Sequence, residues 1–349
     1  MKKIRWALIG YGGMGGWHVG KVQTMQEFEI AGIWDIDSAR QEAAKKAGLH
    51  AYESMDALLN DPSVQLVTIA IPNDQHRPVA CACMRAGKNV ICEKPVALSS
   101  AEVQEMIDVS RQTGMLFTVH QNRRWDEDYL IVQQLLQEKR LGSVFRIESR
   151  VHGSRGIPGD WRNTKRQGGG MILDWGVHLL DQILQLTQEP IVAVHCEIQH
   201  VTNDEVDDGF LCQLTFASGL VAHVEVGTSH FIALPRWCVW GENGSAQVDN
   251  FHCDGKLVMV SDWEKRDAVP VVTAAGLTKT MAPRSEETIQ TYPLPKVSSD
   301  VRDFYRNVGE ALEGNAKQLV THKQILRCMR LMEALLLSAE ENVVVHTRL

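Results

Sequence analysis

Asp174 and His178 lie four residues apart in the stretch Gly168 to Asp181, GGGMILDWGVHLLD. On an α-helix that spacing sets two side chains on one face with Cβ atoms about 5–6 Å apart, near enough for a carboxylate to hold one imidazole nitrogen. A base oriented for proton transfer is built in this way. Met171, Ile172, Leu173, Trp175, Val177, Leu179, Leu180, Ile183 and Leu184 leave the segment almost no polar face, so the helix is expected inside the protein. On this stretch alone two readings are open: a core histidine satisfied by its helix neighbour, or a catalytic base at a cleft.

The elements before the pair show what it would be carried towards. Ile4 to Ile9 reads as a buried parallel strand that runs into Gly10-Tyr11-Gly12-Gly13-Met14-Gly15, a G-x-G-x-x-G loop. Gly10 allows the tight turn, Gly12 lets backbone approach a pyrophosphate, and Gly15 lets the next helix pack closely on the strand, its N-terminus facing the phosphates. Gly13 and Met14 complete the loop. A helical stretch, Trp17 to Gln26, and a second strand, Glu29 to Trp34, follow and end at Asp35, 20 residues past Gly15. A carboxylate there accepts hydrogen bonds from an adenosine ribose and repels the 2′-phosphate of NADP, so NAD is expected as cofactor. NADP stays open, because Asp37 and Arg40 follow closely and an arginine accepts a phosphate.

The alternation continues with helices over Ser38 to Ala47 and Met55 to Leu59, a strand over Leu66 to Ile71 ending at Pro72-Asn73, and a helix from about Asp74 to Arg85 with Pro78 in its first turn. Asn89 to Cys92 is a strand leading into Glu93-Lys94-Pro95; the next helix enters through Ser99-Ser100-Ala101-Glu102, of capping-box form, and Phe117 to His120 closes the sheet. Strands alternating with helices mean a doubly wound parallel sheet whose ligands sit at the carboxyl ends of the strands. Ile71, Asn73, His76, Glu93, Lys94 and Asn122 all fall at or just after those ends. Singly, the polar ones also read as caps, solvated loop groups or a surface lysine.

After Asn122 the pattern changes, which sets the domains at 1–122 for the dinucleotide and 123–349 for substrate and oligomer contacts. A helix over Asp126 to Lys139 precedes strand-like runs at Ser143 to Val151, Ile191 to Gln199, Phe210 to Phe216, Leu220 to Gly227, Arg236 to Trp240, Ala246 to Val248 and Lys256 to Val260. They suggest one mainly antiparallel sheet. With helices on one face its other face needs a partner, so a homodimer or homotetramer is expected through it. Ser261 to Pro295 reads as a long irregular connection, and helices at Asp300 to Leu312 and His322 to Glu341 end the chain, possible partners for the first domain. His152, Arg155, Trp161, Arg162 and Lys165 form a loop before the glycine run; an aromatic and several donors beside a base suit a polyhydroxylated ligand.

Composition excludes several classes. With 349 residues, 44% hydrophobic and 23% charged, the chain can bury a full core. A net charge of −7, a pI of about 6.0 and no basic run argue against nucleic acid or an anionic membrane. No apolar run approaches the roughly 18 residues of a membrane span. Met1-Lys2-Lys3 leads straight into a strand, so the expected place is the cytoplasm. Eight cysteines without CxxC spacing suggest reduced core thiols, with neither zinc nor any other metal nor a disulfide framework.

Together, Gly10 to Gly15, Pro72-Asn73 with His76, Glu93-Lys94-Pro95, and Gly168-Gly169-Gly170 with Asp174 and His178 resemble the Gfo/Idh/MocA oxidoreductases, in that family's order from Ile4 to about Leu184. The resemblance implies a Rossmann domain followed by an α/β domain with a large open antiparallel sheet, and oxidation of a secondary hydroxyl on a sugar, glycoside or cyclitol by NAD(P). It implies Lys94, Asp174 and His178 as the catalytic set, a cis Lys94-Pro95 bond, and Trp161 and Arg162 lining the nicotinamide pocket. The residues expected to face substrate are then Lys94, Arg124, Trp161, Asp174 and His178. On this reading His178 removes the hydroxyl proton, Asp174 fixes its tautomer and Lys94 binds the reacting oxygen, with Lys94 a second candidate for the base. Two alternatives remain. One is a glycosidase-type enzyme of the same fold that oxidises transiently and returns the hydride; the other is a dinucleotide-binding sensor, which needs Asp35 and the glycine loop but neither Lys94 nor His178.

Overall fold

The computed structural model describes residues 3–265, 267–278 and 280–349. Strands β1 (Ile4–Ile9), β2 (Phe28–Trp34), β3 (Leu66–Ile69), β4 (Asn89–Cys92) and β5 (Phe117–Val119) form one parallel sheet of order β2-β1-β3-β4-β5. Helices α1 (Gly13–Val22), α2 (Ser38–Lys46), α3 (Met55–Asn60), α4 (His76–Arg85) and α5 (Ser100–Thr113) make the crossovers. The strands are therefore covered on both faces, and Trp6, Leu8, Ile69 and Ile91 are fully buried. The indole of Trp6 spends its one donor on Thr68 Oγ1 at 2.8 Å, so no polar group is stranded there.

The chain leaves β1 towards β2 and returns on β1's other side as β3, which opens a crevice between the carboxyl ends of β1 and β3. Gly10 sits in that crevice at φ +95°, and a Cβ on it would lie 2.2 Å from Ala70 O, so only glycine lets the two loops meet. β3 stops at Ile69; Ala70 and Ile71 leave the ladder to form the crevice wall, and α4 begins after a 3-10 turn at Asn73–Gln75.

The second sheet contains β6 (Val144–His152), β7 (Ile191–Gln199), β8 (Gly209–Phe216), β9 (Val221–Gly227), β10 (Trp237–Gly241), β11 (Gly244–Val248), β12 (Gly255–Val260), β15 (Ile289–Tyr292) and β16 (Val345–His346). Its order is β15-β12-β11-β10-β6-β9-β8-β7-β16, with β6 and β9 parallel and the other pairs antiparallel. Helices α6 (Glu127–Gln137), α7 (Val177–Leu186) and α9 (His322–Glu341) lie on one face. Strand alternation follows: in β8 Phe210, Cys212, Leu214 and Phe216 point to the helices while Leu211 and Gln213 point away.

The stretch from Ser261 to Pro295 is not the irregular connection its prolines suggest. Among its described residues are a hairpin, β13 (Val271–Thr273) with β14 (Gly276–Thr278), and the edge strand β15 on β12. An edge strand pairs on one side only, so it tolerates Pro293 and Pro295 just past its end.

Helix α8 (Arg302–Leu312) and α9 return to the first sheet. Thr118 Oγ1 donates to Val320 O at 3.1 Å, and Ser100 N–H donates to Glu333 Oε1 at 2.6 Å. One apolar core runs through both sheets as a result. Among the described residues no helix is long and apolar enough to cross a membrane, and the cysteines are free thiols.

Candidate active site

Glu93-Lys94-Pro95 leaves the carboxyl end of β4, and the Lys94–Pro95 peptide is cis. Lys94 Nζ donates to Asp174 Oδ1 at 2.9 Å and to Asp174 O at 3.0 Å, so the loop reaches the segment that opens α7. The other carboxylate oxygen, Oδ2, accepts from Arg162 Nε at 2.9 Å. Burial pushes Asp174 up, but Lys94 and Arg162 outweigh it and hold the group below its ordinary value, as a carboxylate.

The spacing of Asp174 and His178 predicts a carboxylate–imidazole contact, and the structure corrects this. Asp174 belongs to a π-turn, Ile172–Gly176, ahead of α7, and the wider turn delivers its carboxylate to Lys94 and Arg162 instead. His178 Nδ1 is buried without a partner among the described residues, and the ring meets Trp175 edge-on at 6.0 Å. Burial lowers His178 well below its usual value, with Lys94 and Arg123 pushing the same way, so the ring is neutral and holds a lone pair. A buried nitrogen without a partner is costly, and a hydroxyl arriving from solution would relieve it.

Asp207 holds this segment in place, a role its sequence context did not reveal. Its Oδ2 accepts from Ile172 N–H at 2.8 Å and its backbone oxygen accepts from Met171 N–H at 3.0 Å, a carboxylate at the entry of a helix. Gly170 stands at φ +100°, and a Cβ on it would lie 2.2 Å from Asp207 Oδ1. Burial pushes Asp207 up to about 7.

The N–H groups of Gly169 and Gly170 donate to Thr164 O and Arg162 O, folding the loop of Trp161 and Arg162 over the glycine run. The Arg162 guanidinium stacks on the Trp161 ring at 4.5 Å. Arg123 stacks on Trp175 at 4.2 Å and approaches Phe251 at 5.5 Å. This aromatic wall beside His178 was hidden in the sequence, because Trp175 reads as core and Phe251 arrives from the turn between β11 and β12.

Other expected site residues divide. Asn73 Nδ2 donates to Gly168 O at 3.2 Å and so ties the β3 loop to the glycine run. Ile71 packs against Gly10, and Asn122 opens the 3-10 turn Asn122–Trp125 that leaves the first sheet. His76, expected at the cofactor, is buried with its ring nitrogens 2.8 Å from Pro95 O and 2.9 Å from Ile71 O; it clamps two loops and offers no free group. Glu93, also expected at the cofactor, accepts from His18 Nε2 at 2.8 Å, His120 Nδ1 at 2.7 Å and Lys94 N–H at 3.1 Å. Burial would raise Glu93, but the two histidines hold it well below its ordinary value, so it is a buried anchor for Lys94. His18 is bonded in turn to Tyr305 of α8. Arg124, expected at substrate, makes a two-pronged pair with Asp181, both contacts at 2.7 Å, and donates to Leu319 O and Gln324.

At the glycine loop α1 begins after Gly12 with no side-chain cap, so its first N–H groups remain free to bind an anion. Asp35 accepts from Tyr11 N–H at 2.6 Å and Asp37 N–H at 2.8 Å, which braces the loop at the end of β2. Arg40 lies 3.6 Å from Asp35, and a Cβ on Gly12 would lie 3.3 Å from its guanidinium. A bare cradle, a helix N-terminus and a carboxylate just past the end of β2 fit a dinucleotide.

Residues 4–121 match the model of an oxidoreductase family with an NAD-binding Rossmann fold, and residues 129–247 match the GFO/IDH/MocA C-terminal domain. The chain belongs to the Gfo/Idh/MocA oxidoreductase family. Within it, the chain is 30% identical over 343 residues to the uncharacterized oxidoreductase YdgJ of Escherichia coli K12, covering 95% of this chain and 94% of that one. It is 26% identical over 349 residues to scyllo-inositol 2-dehydrogenase (NADP(+)) IolW of Bacillus subtilis 168, covering 97% and 94%. A crystal structure of an NAD-binding protein from Listeria innocua superposes with a TM-score of 0.96 at 42% identity, covering 99% of this chain and all of that one. For a Gfo/Idh/MocA member the expected cofactor is NAD(P), which agrees with the cradle at Gly12.

Proposed function

We propose that this Gfo/Idh/MocA oxidoreductase oxidises a secondary ring hydroxyl of a sugar, glucoside or cyclitol, a pyranose or inositol with equatorial hydroxyls, and prefers NAD to NADP. The observation that carries the reading is His178: a neutral imidazole whose buried Nδ1 has no partner among the described residues, within electrostatic reach of Lys94. The dinucleotide, when bound, accepts the hydride that leaves the substrate carbon. His178 takes the hydroxyl proton, and burial keeps it ready by disfavouring its charged form. Lys94, pinned by both the carboxylate and the carbonyl of Asp174, donates to the reacting oxygen as negative charge builds there. Lys94 is also the second candidate for the base.

Asp174 does its work through Lys94 and Arg162, not through the imidazole. The Arg162–Trp161 stack and the wall of Trp175, Phe251 and Arg123 supply flat apolar faces with donors at their edges, which suit a ring bearing many hydroxyls. The similarity to an inositol dehydrogenase favours the same substrate class. Asp35 at the ribose position favours NAD, since a 2′-phosphate would meet a carboxylate. The open face of the second sheet, which carries Arg146, Glu148, Arg150 and Glu225, is the proposed contact between copies, and light scattering on the purified protein reads it.

The test is a screen of NAD and NADP reduction across methyl glucosides, free aldoses and inositols. Turnover is expected within that set. Activity confined to open-chain hydroxy acids or amino acids would overturn the substrate class.

A further inference from the structure

We propose that the cleft between α7 and α9 is a binding site for a phosphorylated small molecule, separate from the cluster around Lys94 and His178. The cleft has a volume of about 430 Å³ and is lined by Lys323, Arg327 and Arg330 of α9, by Arg348, and by Leu184 and Leu326. Its size is that of a metabolite site, for which about 300–1,000 Å³ is usual.

Charge is what marks it. Lys323, Arg327 and Arg330 follow one another at helical spacing and present three cations on one face of α9, with Arg348 opposite. Among the described residues Lys323, Arg330 and Arg348 form no ion pair with an aspartate or glutamate, while Arg327 reaches Leu349 O, also in the cleft lining, at 3.4 Å. The chain carries 43 acidic against 36 basic side chains, so four cations around one cleft with no aspartate or glutamate in its lining are not what its composition supplies by default. Lys323 lies in the first turn of α9, where the helix end is already positive and an anion would be favoured.

The geometry suits an ester of phosphate better than a bare ion. Arg327 is half-buried, and one of its amino groups donates to Glu189 O at 2.5 Å and to Leu349 O at 3.4 Å, which aims the planar guanidinium while leaving its other donors for a ligand. Leu184 and Leu326 give the cleft an apolar floor on which the organic part would rest. Leu184 belongs to the helix that carries His178, but neither His178 nor Lys94 nor Asp174 lines this cleft.

Isothermal titration of the tag-free full chain at low salt, without NAD, tests this with glucose 6-phosphate, inorganic phosphate and glucose as probes. Glucose 6-phosphate is expected to bind once per chain with affinity that falls as salt rises, inorganic phosphate more weakly, and glucose not at this site. Arg330→Glu and Arg348→Glu, both at exposed positions, should each weaken glucose 6-phosphate by about tenfold or more with circular dichroism and NAD affinity unchanged. The proposal is overturned if wild type shows no binding at millimolar glucose 6-phosphate, if both variants bind it as wild type does, or if saturating NAD abolishes the binding.

Discussion

Lys94 Nζ and Asp174 Oδ1 meet at 2.9 Å, one side chain from the parallel sheet and the other from the helical layer of the second. The contact joins the two halves of the site and keeps Asp174 ionised although it is buried. A carboxyl held below its ordinary value stabilises the fold above the unfolded-state pKa and loses that contribution as pH falls through the folded-state one. Lys94→Ala removes the first of its two cations, so acid unfolding should begin at higher pH, with a loss of about 1–3 kcal/mol at neutral pH. Circular dichroism against pH and urea reads both, and an unmoved acid limb would contradict the pairing.

Asp207 should act in the opposite direction. Its carboxyl is raised from 3.8 to about 7, so across that window the unfolded chain gives up a proton that the folded chain keeps. Stability should fall as pH rises through the window and level off above it. Asp207→Asn keeps an oxygen for Ile172 N–H and removes the titration, and the urea midpoint should then vary less with pH over that range. An unaltered profile would mean that Asp207 is not the group responsible.

Gly170→Ala forces a Cβ towards Asp207 at a left-handed backbone position. The backbone term alone is about 1–2 kcal/mol. Because the strain falls on the entry to the π-turn, turnover should drop while NAD affinity stays near wild type. Equal losses in both would point to global damage instead.

Asp35→Ser should narrow or reverse the preference for NAD. A carboxylate beside a 2′-phosphate costs on the order of 1–4 kcal/mol at surface-like dielectric. Dissociation constants for the two dinucleotides measure it, and wild-type protein that binds NADP as tightly as NAD would show that Arg40 governs the choice.

Strands β1, β4 and β7 occupy the same residues as the sequence expects, and α9 opens on a capping box between Thr321 and Gln324. Such features are legible because neighbouring residues set them. Partnerships across the chain are not. Glu93 is fixed by His18, His120 and, through His18, Tyr305, residues on three other elements whose meeting depends on the finished fold. Asp207 sits among Asp204, Glu205 and Asp208, and nothing in the local sequence sets it apart from them. Three consecutive glycines do signal a close approach, but not what approaches. The π-turn also leaves no mark in the hydrophobic pattern, and it decides where Asp174 points.

The most direct measurement is steady-state turnover of His178→Ala, with NAD affinity and urea stability taken on the same protein. If His178 is the base, turnover falls by roughly 10²–10⁴ while NAD affinity and stability stay close to wild type, since among the described residues Nδ1 has no hydrogen-bond partner to be stranded by its loss. A folded His178→Ala protein that oxidises its substrate at near wild-type rate would contradict the account and leave Lys94 as the base.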